Sequence, residues 1–279
     1  MLQVPSTRPA LIALLTDFGL GDSVGVMKGV IARISPFAHC LDLSHEIAPQ
    51  QVSSGAWILA TNYRYFPEGT IFVCVVDPGV GSSRRPIAIS AGSWFFVGPD
   101  NGLFSYILAE QPVHEAVALT NPAYHLSPLS TTFHGRDLFS PVAAHLSLGT
   151  IPFSALGESL PIEALQRLPN LVPQRQGNQI AASIVHVDHF GNLITSIPLS
   201  LIPDWLTVPR VRLRFPDSKR ELSERRRFFA QEGQLVETGQ PFLFPDSSDY
   251  LAIAVRNGNA AQTLRVNAGS SLIFELFQE

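Results

Sequence analysis

The sequence has few of the groups that bind metals or form cross-links. Only two of its 279 residues are cysteines, Cys40 and Cys74, and both lie in apolar, strand-like runs that are typical of core positions rather than of a disulfide. The eight histidines are scattered and show neither HxH nor HExxH spacing, so the sequence predicts no metal site. No GxGxxG motif follows a strand-like run, which argues against a dinucleotide cofactor.

Charge and long apolar runs are also scarce. Charged residues make up 15% of the chain, the net charge is −4 and no basic block occurs, so binding of nucleic acid by phosphate neutralisation is not expected. No apolar run approaches the roughly 20 residues needed to cross a bilayer, and the N-terminus shows no signal-peptide pattern. The expectation is therefore a cytoplasmic protein. Its 46% hydrophobic residues predict a large core.

The first part of the chain alternates strand-like and helical patterns. Apolar runs at 10–15, 39–43 and 71–76 are typical of strands, and a helical apolar stripe covers 24–34. Pro49 can open a second helix. This βαβαβ order predicts a Rossmann-like α/β domain with a mostly parallel sheet.

The pattern changes beyond residue 158. Residues 158–179 hold three prolines and little periodicity, which is typical of a linker. After it come short strand-like runs with no long amphipathic helix, so a small β-barrel is expected. The predicted organisation is an N-terminal α/β domain at 1–165, a linker at 166–178 and a C-terminal β-barrel domain at 179–279.

Two strand-like runs end in a carboxylate. Asp17 follows the first run and Asp77 follows the buried run 71–76, with two arginines shortly after it, Arg84 and Arg85. In open α/β sheets, ligands bind beyond the carboxyl ends of strands. Asp77 with one of the arginines could therefore orient a water, or could form a structural ion pair. Asp17 could bind a ribose diol, or could cap a helix.

Two further features are weaker on their own. His134 lies between Phe133 and Gly135, just before a predicted helix, and a neutral imidazole there could accept a proton or hold a water, although a lone histidine is more often structural. Asp188 and Asn192 frame a turn, as Asx residues ordinarily do.

Seven motifs in order carry a resemblance to a known family. They are TDFGLGD, GVMKGVI, VVDPGVGSSRRPI, GPDNGLFS, TFHGRDLFSPVAAHL, VDHFGNLITSI and RNGNAA. Together they resemble the S-adenosylmethionine (SAM) hydroxide adenosyltransferases, the adenosine-forming SAM hydrolases, which are relatives of the fluorinating and chlorinating adenosyl enzymes. The resemblance covers nearly the whole chain.

The resemblance implies a fold, a reaction and a set of site residues. It implies a homotrimer whose active sites lie between the N-domain of one subunit and the C-domain of a neighbour. It also implies metal-free, cofactor-free conversion of SAM and water to adenosine and L-methionine. By the matching motifs, the catalytic residues are Asp77, Arg84 and His134, and Asp17 binds the ribose. The remaining matches are Asp188 and Asn192 for the amino end of methionine, Ser247 and Ser248 for its carboxylate, and Asn259 and Ala260 for adenine.

Other functions stay open beside this one. The first is a halide-using adenosyltransferase, although halogenating relatives lack the aspartate and histidine that match Asp77 and His134. The second is a non-catalytic nucleoside-binding protein, and the third is a trimeric scaffold with an inert cleft. The resemblance favours water over halide, because both residues are present here.

Overall fold

The computed structural model of the protein describes residues 9–169, 172–218, 220–227, 230–231, 234–235 and 239–277. The chain forms two compact units, Met1–Leu168 and Pro169–Glu279. The linker at 166–178 stays a prediction, and residues 170–171 within it lie outside the described residues.

The first unit consists of a seven-stranded sheet and the helices that cover it. The strands are β1 (Leu11–Thr16), β2 (His39–Ser44), β3 (Ile71–Val75), β4 (Pro86–Ala91), β5 (Trp94–Pro99), β6 (Val113–Ala118) and β7 (Glu158–Ser159). The α-helices are α1 (Ser23–Ile34), α2 (Val52–Asn62), α3 (Ser105–Glu110) and α4 (Ser140–Ser147).

The sheet is mixed rather than mostly parallel. In the strand order β2-β1-β3-β5-β4-β6-β7, β2, β1, β3 and β5 are mutually parallel, whereas the pairs β5–β4, β4–β6 and β6–β7 are antiparallel. The cause is the tight connection between β4 and β5, where Ala91 pairs with Trp94 across the two residues Gly92 and Ser93. A two-residue hairpin joins only antiparallel strands. The α/β class is confirmed, and the parallel half contains β1 and β3.

Strand β3 is buried over its whole length, as its apolar sequence predicts. One face of β1 and β3, with Leu14 and Val73, packs against Met27 of α1 and Val142 of α4. On the other face, Phe72 stacks on Phe96 with ring centroids 5.4 Å apart. Both faces of the central strands are therefore buried, which leaves their ends as the place where polar groups meet solvent.

The helix predicted just after His134 begins in an unusual form. A π-helix occupies Gly135–Phe139, and α4 follows from Ser140. Pro141 has no N–H to donate to the preceding turn, and the Ser140 hydroxyl instead donates to Gly135 O at 2.7 Å. The Asp137 carboxylate does not cap this helix, because it accepts from Arg136 and from the Ser130 N–H.

The second unit is an antiparallel β-structure. Its strands are β8 (Gln174–Gln176), β9 (Gln179–Val187), β10 (Leu193–Pro198), β11 (Arg210–Phe215), β12 (Arg220–Leu222), β13 (Ala230–Gln231), β14 (Gln234–Leu235), β15 (Pro241–Pro245), β16 (Tyr250–Val255) and β17 (Ser271–Phe277), and the short α-helix α5 (Ala260–Leu264) lies between β16 and β17. The main sheet has the order β12-β11-β17-β9-β10-β16-β15, and β8 pairs with β9.

This sheet is nearly closed. Residues just after β12 bridge to β15 at the opposite edge, where Arg226 N donates to Leu243 O and Leu243 N donates to Glu224 O, each at 2.8 Å. The inside is an apolar cluster that includes Ile184, Phe215 and Phe274. The predicted C-terminal β-barrel is therefore confirmed. Within the described ranges, no helix combines the length and apolarity that a bilayer crossing requires.

Candidate active site

The ends of β1 and β3 bring two predicted site residues to the same edge of the sheet. Thr16 pairs with Val75 in parallel register, so Asp17 and Asp77 both emerge just beyond the paired ends. Asp17 and Asp77 line one cleft of about 230 Å³, together with His134. Phe18 and Phe133 form part of its wall and meet edge to face, with ring centroids 5.9 Å apart. The cleft thus combines apolar walls with two carboxylates and an imidazole.

Arg84 joins the other two predicted catalytic groups. Its Nε lies 2.9 Å from both carboxylate oxygens of Asp77, and its Nη2 also donates to Asp77 Oδ2. The same Nη2 lies 2.7 Å from His134 Nδ1. Both members of the ion pair are buried, with side-chain exposures of 8% for Arg84 and 5% for Asp77. Three groups that are up to 57 positions apart in sequence (134 − 77) therefore form one hydrogen-bonded set.

Arg85 makes a separate ion pair. Its Nε and Nη2 donate to Asp100 Oδ2 at 3.0 and 2.5 Å. The Asp100 side chain is only 3% exposed. Of the two arginines that the sequence left open, Arg84 is thus the one that contacts Asp77.

The chain from Asp77 to Arg84 folds into a compact turn, called the Asp77 turn below (residues 77–84). Val80 N donates to Asp77 O at 3.2 Å, and the Ser82 hydroxyl donates to Gly79 O at 2.7 Å. Gly81 has φ +77°, and a Cβ there would lie 2.5 Å from Thr131 O. Only glycine fits this position, which lets the turn approach the segment that leads to His134.

The hydrogen bond from Arg84 determines the tautomer of His134. A guanidinium has donors and no acceptor, so His134 Nδ1 must accept, and the neutral ring carries its proton on Nε2. Burial lowers the pKa of His134 most, and the positive charge of Arg84 lowers it further, against the opposing effect of Asp77 and Asp137. The imidazole is therefore uncharged at neutral pH and has an Nε2–H to donate.

Asp17 is held by a backbone group that sequence reasoning missed. Gln50 N donates to Asp17 Oδ2 at 2.8 Å, and Gln50 also lines the cleft. Gln50 has φ +67°, a conformation that a residue other than glycine seldom adopts. No sequence signal marks a glutamine for this role, because the contact is made by its backbone N–H and not by its side chain.

In the second unit, four predicted residues form one cluster. Asp188 Oδ1 accepts from Asn192 N at 2.8 Å, and Asp188 Oδ2 accepts from Asn192 Nδ2 at 2.7 Å. Gly191, between them, has φ +82° and lies so close to Asn259 that a Cβ would be 2.1 Å from its Cγ. Asn259 Oδ1 accepts from Gln262 N at 2.8 Å and so caps α5, whose first residue, Ala260, is fully buried.

The predicted serines lie in a loop organised by Asp246, which sequence reasoning missed. Asp246 Oδ1 accepts from Ser248 N at 3.0 Å and from Tyr250 N at 2.8 Å. Burial raises the pKa of Asp246, and the nearby charges of Asp249 and Asp188 raise it further. Asp188 is thus near this loop, in which Ser247 is exposed and Ser248 is half-buried. The sequence signal for this role is a common one, namely an Asx residue two positions before the serine whose backbone N–H it binds.

No resident cation site is visible in the described part of the chain. Among those residues, no group of three or more histidine, cysteine, aspartate or glutamate side chains could hold a metal ion.

The chain matches two domain models of one family. Residues 12–157 match the SAM hydroxide adenosyltransferase N-terminal domain, and residues 182–273 match the C-terminal domain of the same family. The chain belongs to the SAM hydroxide adenosyltransferase family. The resemblance carried by the seven sequence motifs is therefore confirmed.

The chain is similar to proteins that are named for different activities. An (R)-S-adenosyl-L-methionine hydrolase from Salinispora arenicola is 39% identical, over 94% of this chain and 96% of the relative. A fluorinase from an Actinoplanes species is 26% identical, over 95% of this chain and 97% of the relative. A crystal structure of an uncharacterized conserved protein from Thermotoga maritima superposes with a TM-score of 0.82 at 36% identity, over 94% of this chain and 99% of that one.

Proposed function

We propose that this SAM hydroxide adenosyltransferase hydrolyses SAM to adenosine and L-methionine. The observation that carries the proposal is the position of Arg84, which binds both Asp77 and His134 beside a cleft that also contains Asp17. These side chains can hold one water molecule in line with the bond that breaks at the carbon it attacks. Hydrolase relatives at up to 39% identity support the same reaction.

In the proposed reaction, a water oxygen attacks the ribose 5′ carbon in line with the carbon–sulfur bond. That bond breaks, and its electron pair returns to sulfur, which leaves as the neutral thioether of methionine. The water contributes its oxygen and one hydrogen to adenosine and releases one proton. Because a sulfonium is already a good leaving group, the enzyme needs no strong acid. It needs a well-placed nucleophile.

The three catalytic groups would supply that placement. Asp77 accepts a hydrogen bond from the water, and the Nε2–H of His134 donates a hydrogen bond to the water oxygen. Arg84 holds both partners at fixed positions and has no acceptor with which to compete for the water. Holding the water in an attack geometry can supply roughly 7–11 kcal/mol of the barrier, and exclusion of solvent strengthens the attraction between the developing hydroxide and the sulfonium.

The same groups disfavour a halide. A chloride or fluoride in the place of the water would lie beside the Asp77 carboxylate, and like charges at contact distance repel. Water is instead attracted, because it can donate to the carboxylate. The halide-using alternative therefore lacks the environment that its nucleophile requires.

The binding groups complete the proposal. Asp17 binds the two ribose hydroxyls, since an ionised carboxylate accepts both hydrogens.

We further propose a homotrimer in which a neighbouring subunit supplies Asp188 and Asn192 to the methionine amino end, the 247–248 loop to its carboxylate, and Asn259 with Ala260 to adenine. Sedimentation tests this assembly, and a stable active monomer would contradict it. We also propose that the protein works in the cytoplasm without a resident cofactor.

A product assay tests the function. The protein is dialysed against EDTA and incubated with SAM in chloride-containing buffer, and the products are separated by chromatography. We expect adenosine and methionine in equal amounts, with no loss of rate after EDTA. A 5′-chloro-5′-deoxyadenosine product would instead support the halide-using enzyme. Bound adenosine without methionine release would support a nucleoside-binding protein.

The assay can also resolve the sulfonium configuration. The hydrolase relatives are named for (R)-S-adenosyl-L-methionine, and we propose the same preference here. With the two epimers supplied separately, the R form should be consumed faster. Equal rates for the two epimers would contradict this preference.

A further inference from the structure

A polar loop that the mechanism does not use lies beside the Asp77 turn. Residues 98–102, with the sequence GPDNG, end strand β5 and lead towards α3. Their position follows from the sheet register, because Pro99 pairs with Pro86 and Gly98 pairs with Ile87 across β5 and β4. The loop therefore emerges next to the chain that leaves the Asp77 turn.

Asn101 holds the start of the Asp77 turn. Its Nδ2 donates to Val76 O at 2.9 Å, and Val76 is the fully buried residue immediately before Asp77. Its Oδ1 accepts from Leu103 N at 3.2 Å. The second hydrogen bond orients the amide, since it requires Oδ1 to face Leu103 and Nδ2 to face Val76.

Asp100 holds the end of the turn. Asp100 N donates to Arg85 O at 2.8 Å, and its carboxylate accepts from the Arg85 guanidinium. The other carboxylate oxygen accepts from Gln166 N at 2.8 Å. Because the Asp100 side chain is 3% exposed, these bonds are shielded from water and are correspondingly stronger.

We propose that Asn101 and Asp100 are positioning residues for hydrolysis. Two adjacent residues hold both ends of the Asp77 turn, and Asp77 and Arg84 are the first and last residues of that turn. The loop thereby sets the distance between the catalytic carboxylate and the guanidinium, and its residues are not among those that line the cleft. This inference rests on the proposed function for its kinetic part.

The variant Asn101→Asp tests the inference with little change in shape. It keeps an oxygen to accept from Leu103 N, but it replaces the donor to Val76 O with an acceptor. A small shift of Asp77 should misplace the water, so we expect kcat to fall by about tenfold or more, with KM within about threefold of the parent. Because unfolded molecules would also lower the apparent kcat at constant KM, kcat is expressed per folded molecule, with the folded fraction measured by circular dichroism.

Asn121 provides a matched control. Its Nδ2 donates to Ala155 O at 2.8 Å, and its Oδ1 accepts from Ala123 N at 3.1 Å. These are the same two kinds of hydrogen bond in the same unit, but they hold a different segment. Asn121→Asp should keep both kcat and KM within about twofold of the parent.

Hydrogen exchange gives a second readout that needs no activity. The amides of Val80, Ser82 and Arg84 should exchange faster in Asn101→Asp than in the parent, and should be unchanged in Asn121→Asp. If the parent does not hydrolyse SAM, the proposed function fails, and these exchange rates still decide whether the loop holds the turn.

A second variant guards against misfolding. Asp100→Asn keeps an acceptor for Gln166 N but removes the charge opposite Arg85, and we expect a similar loss of kcat at constant KM. The inference is overturned if a folded variant of either residue keeps the parent kcat and the parent exchange rates. It is also overturned if neither variant folds, because the loop would then serve folding rather than positioning.

Discussion

Asp77→Ala should reduce the turnover of SAM by about a thousandfold or more, while SAM still binds with an affinity close to that of the parent. The carboxylate accepts two donors from Arg84 and, in the proposed reaction, also holds the attacking water. Its removal takes away the orientation of the nucleophile but no contact with the ribose, which in the proposed complex is bound by Asp17. Turnover is measured by chromatography of adenosine, and binding by calorimetry with SAM.

This variant also leaves Arg84 as a buried charge without its carboxylate. Breaking a buried pair in this way costs about 3–5 kcal/mol of stability, so rates must be compared per folded molecule. Asp77→Asn, which keeps the shape, should also be nearly inactive. Glu275→Gln is the matched control, because Glu275 is buried and pairs with Arg212 at 2.5 Å in the second unit. It should lose stability and keep turnover. Hydrolysis by Asp77→Ala at the parent rate would refute the role of Asp77.

His134→Ala should lower kcat by about a hundredfold, and should remove the acid limb of the pH–rate profile. The pKa of His134 is lowered by burial and then by Arg84, so the active, neutral imidazole is present at pH 7. It is lost as the pH falls through that lowered pKa, below about 6.5. Protonation puts a hydrogen on Nδ1, which can then no longer accept from Arg84. The measurement is kcat/KM from pH 5 to pH 8.

Two further variants separate this effect from a general one. His134→Asn keeps an acceptor near the position of Nδ1 but cannot titrate, so its profile should lack the limb. His145→Asn is the control, because His145 also has a pKa lowered by burial but contacts Tyr124 rather than Arg84. Its profile should match that of the parent. A limb that persists in His134→Asn would show that another group titrates.

Much of the site could be predicted because local sequence positions it. Strand β3 is apolar over all five residues, and only Val76 separates it from Asp77, so the carboxylate had to lie at the sheet edge. The parallel register of Thr16 with Val75 then brought Asp17 to the same cleft. The strand ends follow from hydrophobic pattern and chain order, whereas the register that brings the two carboxylates together is seen only in the structure.

The choice between Arg84 and Arg85 could not be made in this way. Adjacent residues in a turn point in different directions, and the directions depend on the turn itself. Here they depend on Gly81, whose positive φ allows close contact with Thr131. Arg84 then faces Asp77 and Arg85 faces Asp100. Asp100, the partner of Arg85, lies in the connection that follows β5, and no local sequence pattern links the two residues.

The mixed sheet and the π-helix escaped prediction for related reasons. The turn at Gly92 and Ser93 makes β4 and β5 antiparallel, whereas the βαβαβ pattern that predicts a parallel sheet covers only the chain before it. The π-helix at Gly135–Phe139 shares its hydrophobic pattern with an ordinary helix. It differs in backbone hydrogen bonding, which periodicity does not report.

One measurement tests the central claim most directly. SAM is converted in a single turnover by excess enzyme in ¹⁸O-labelled water, and both adenosine and the protein are examined by mass spectrometry. If Asp77, Arg84 and His134 hold a water that attacks carbon, the label appears at the 5′ oxygen of adenosine and none enters the protein. Label on the Asp77 carboxylate, with unlabelled adenosine, would show that Asp77 itself attacks and would contradict the account.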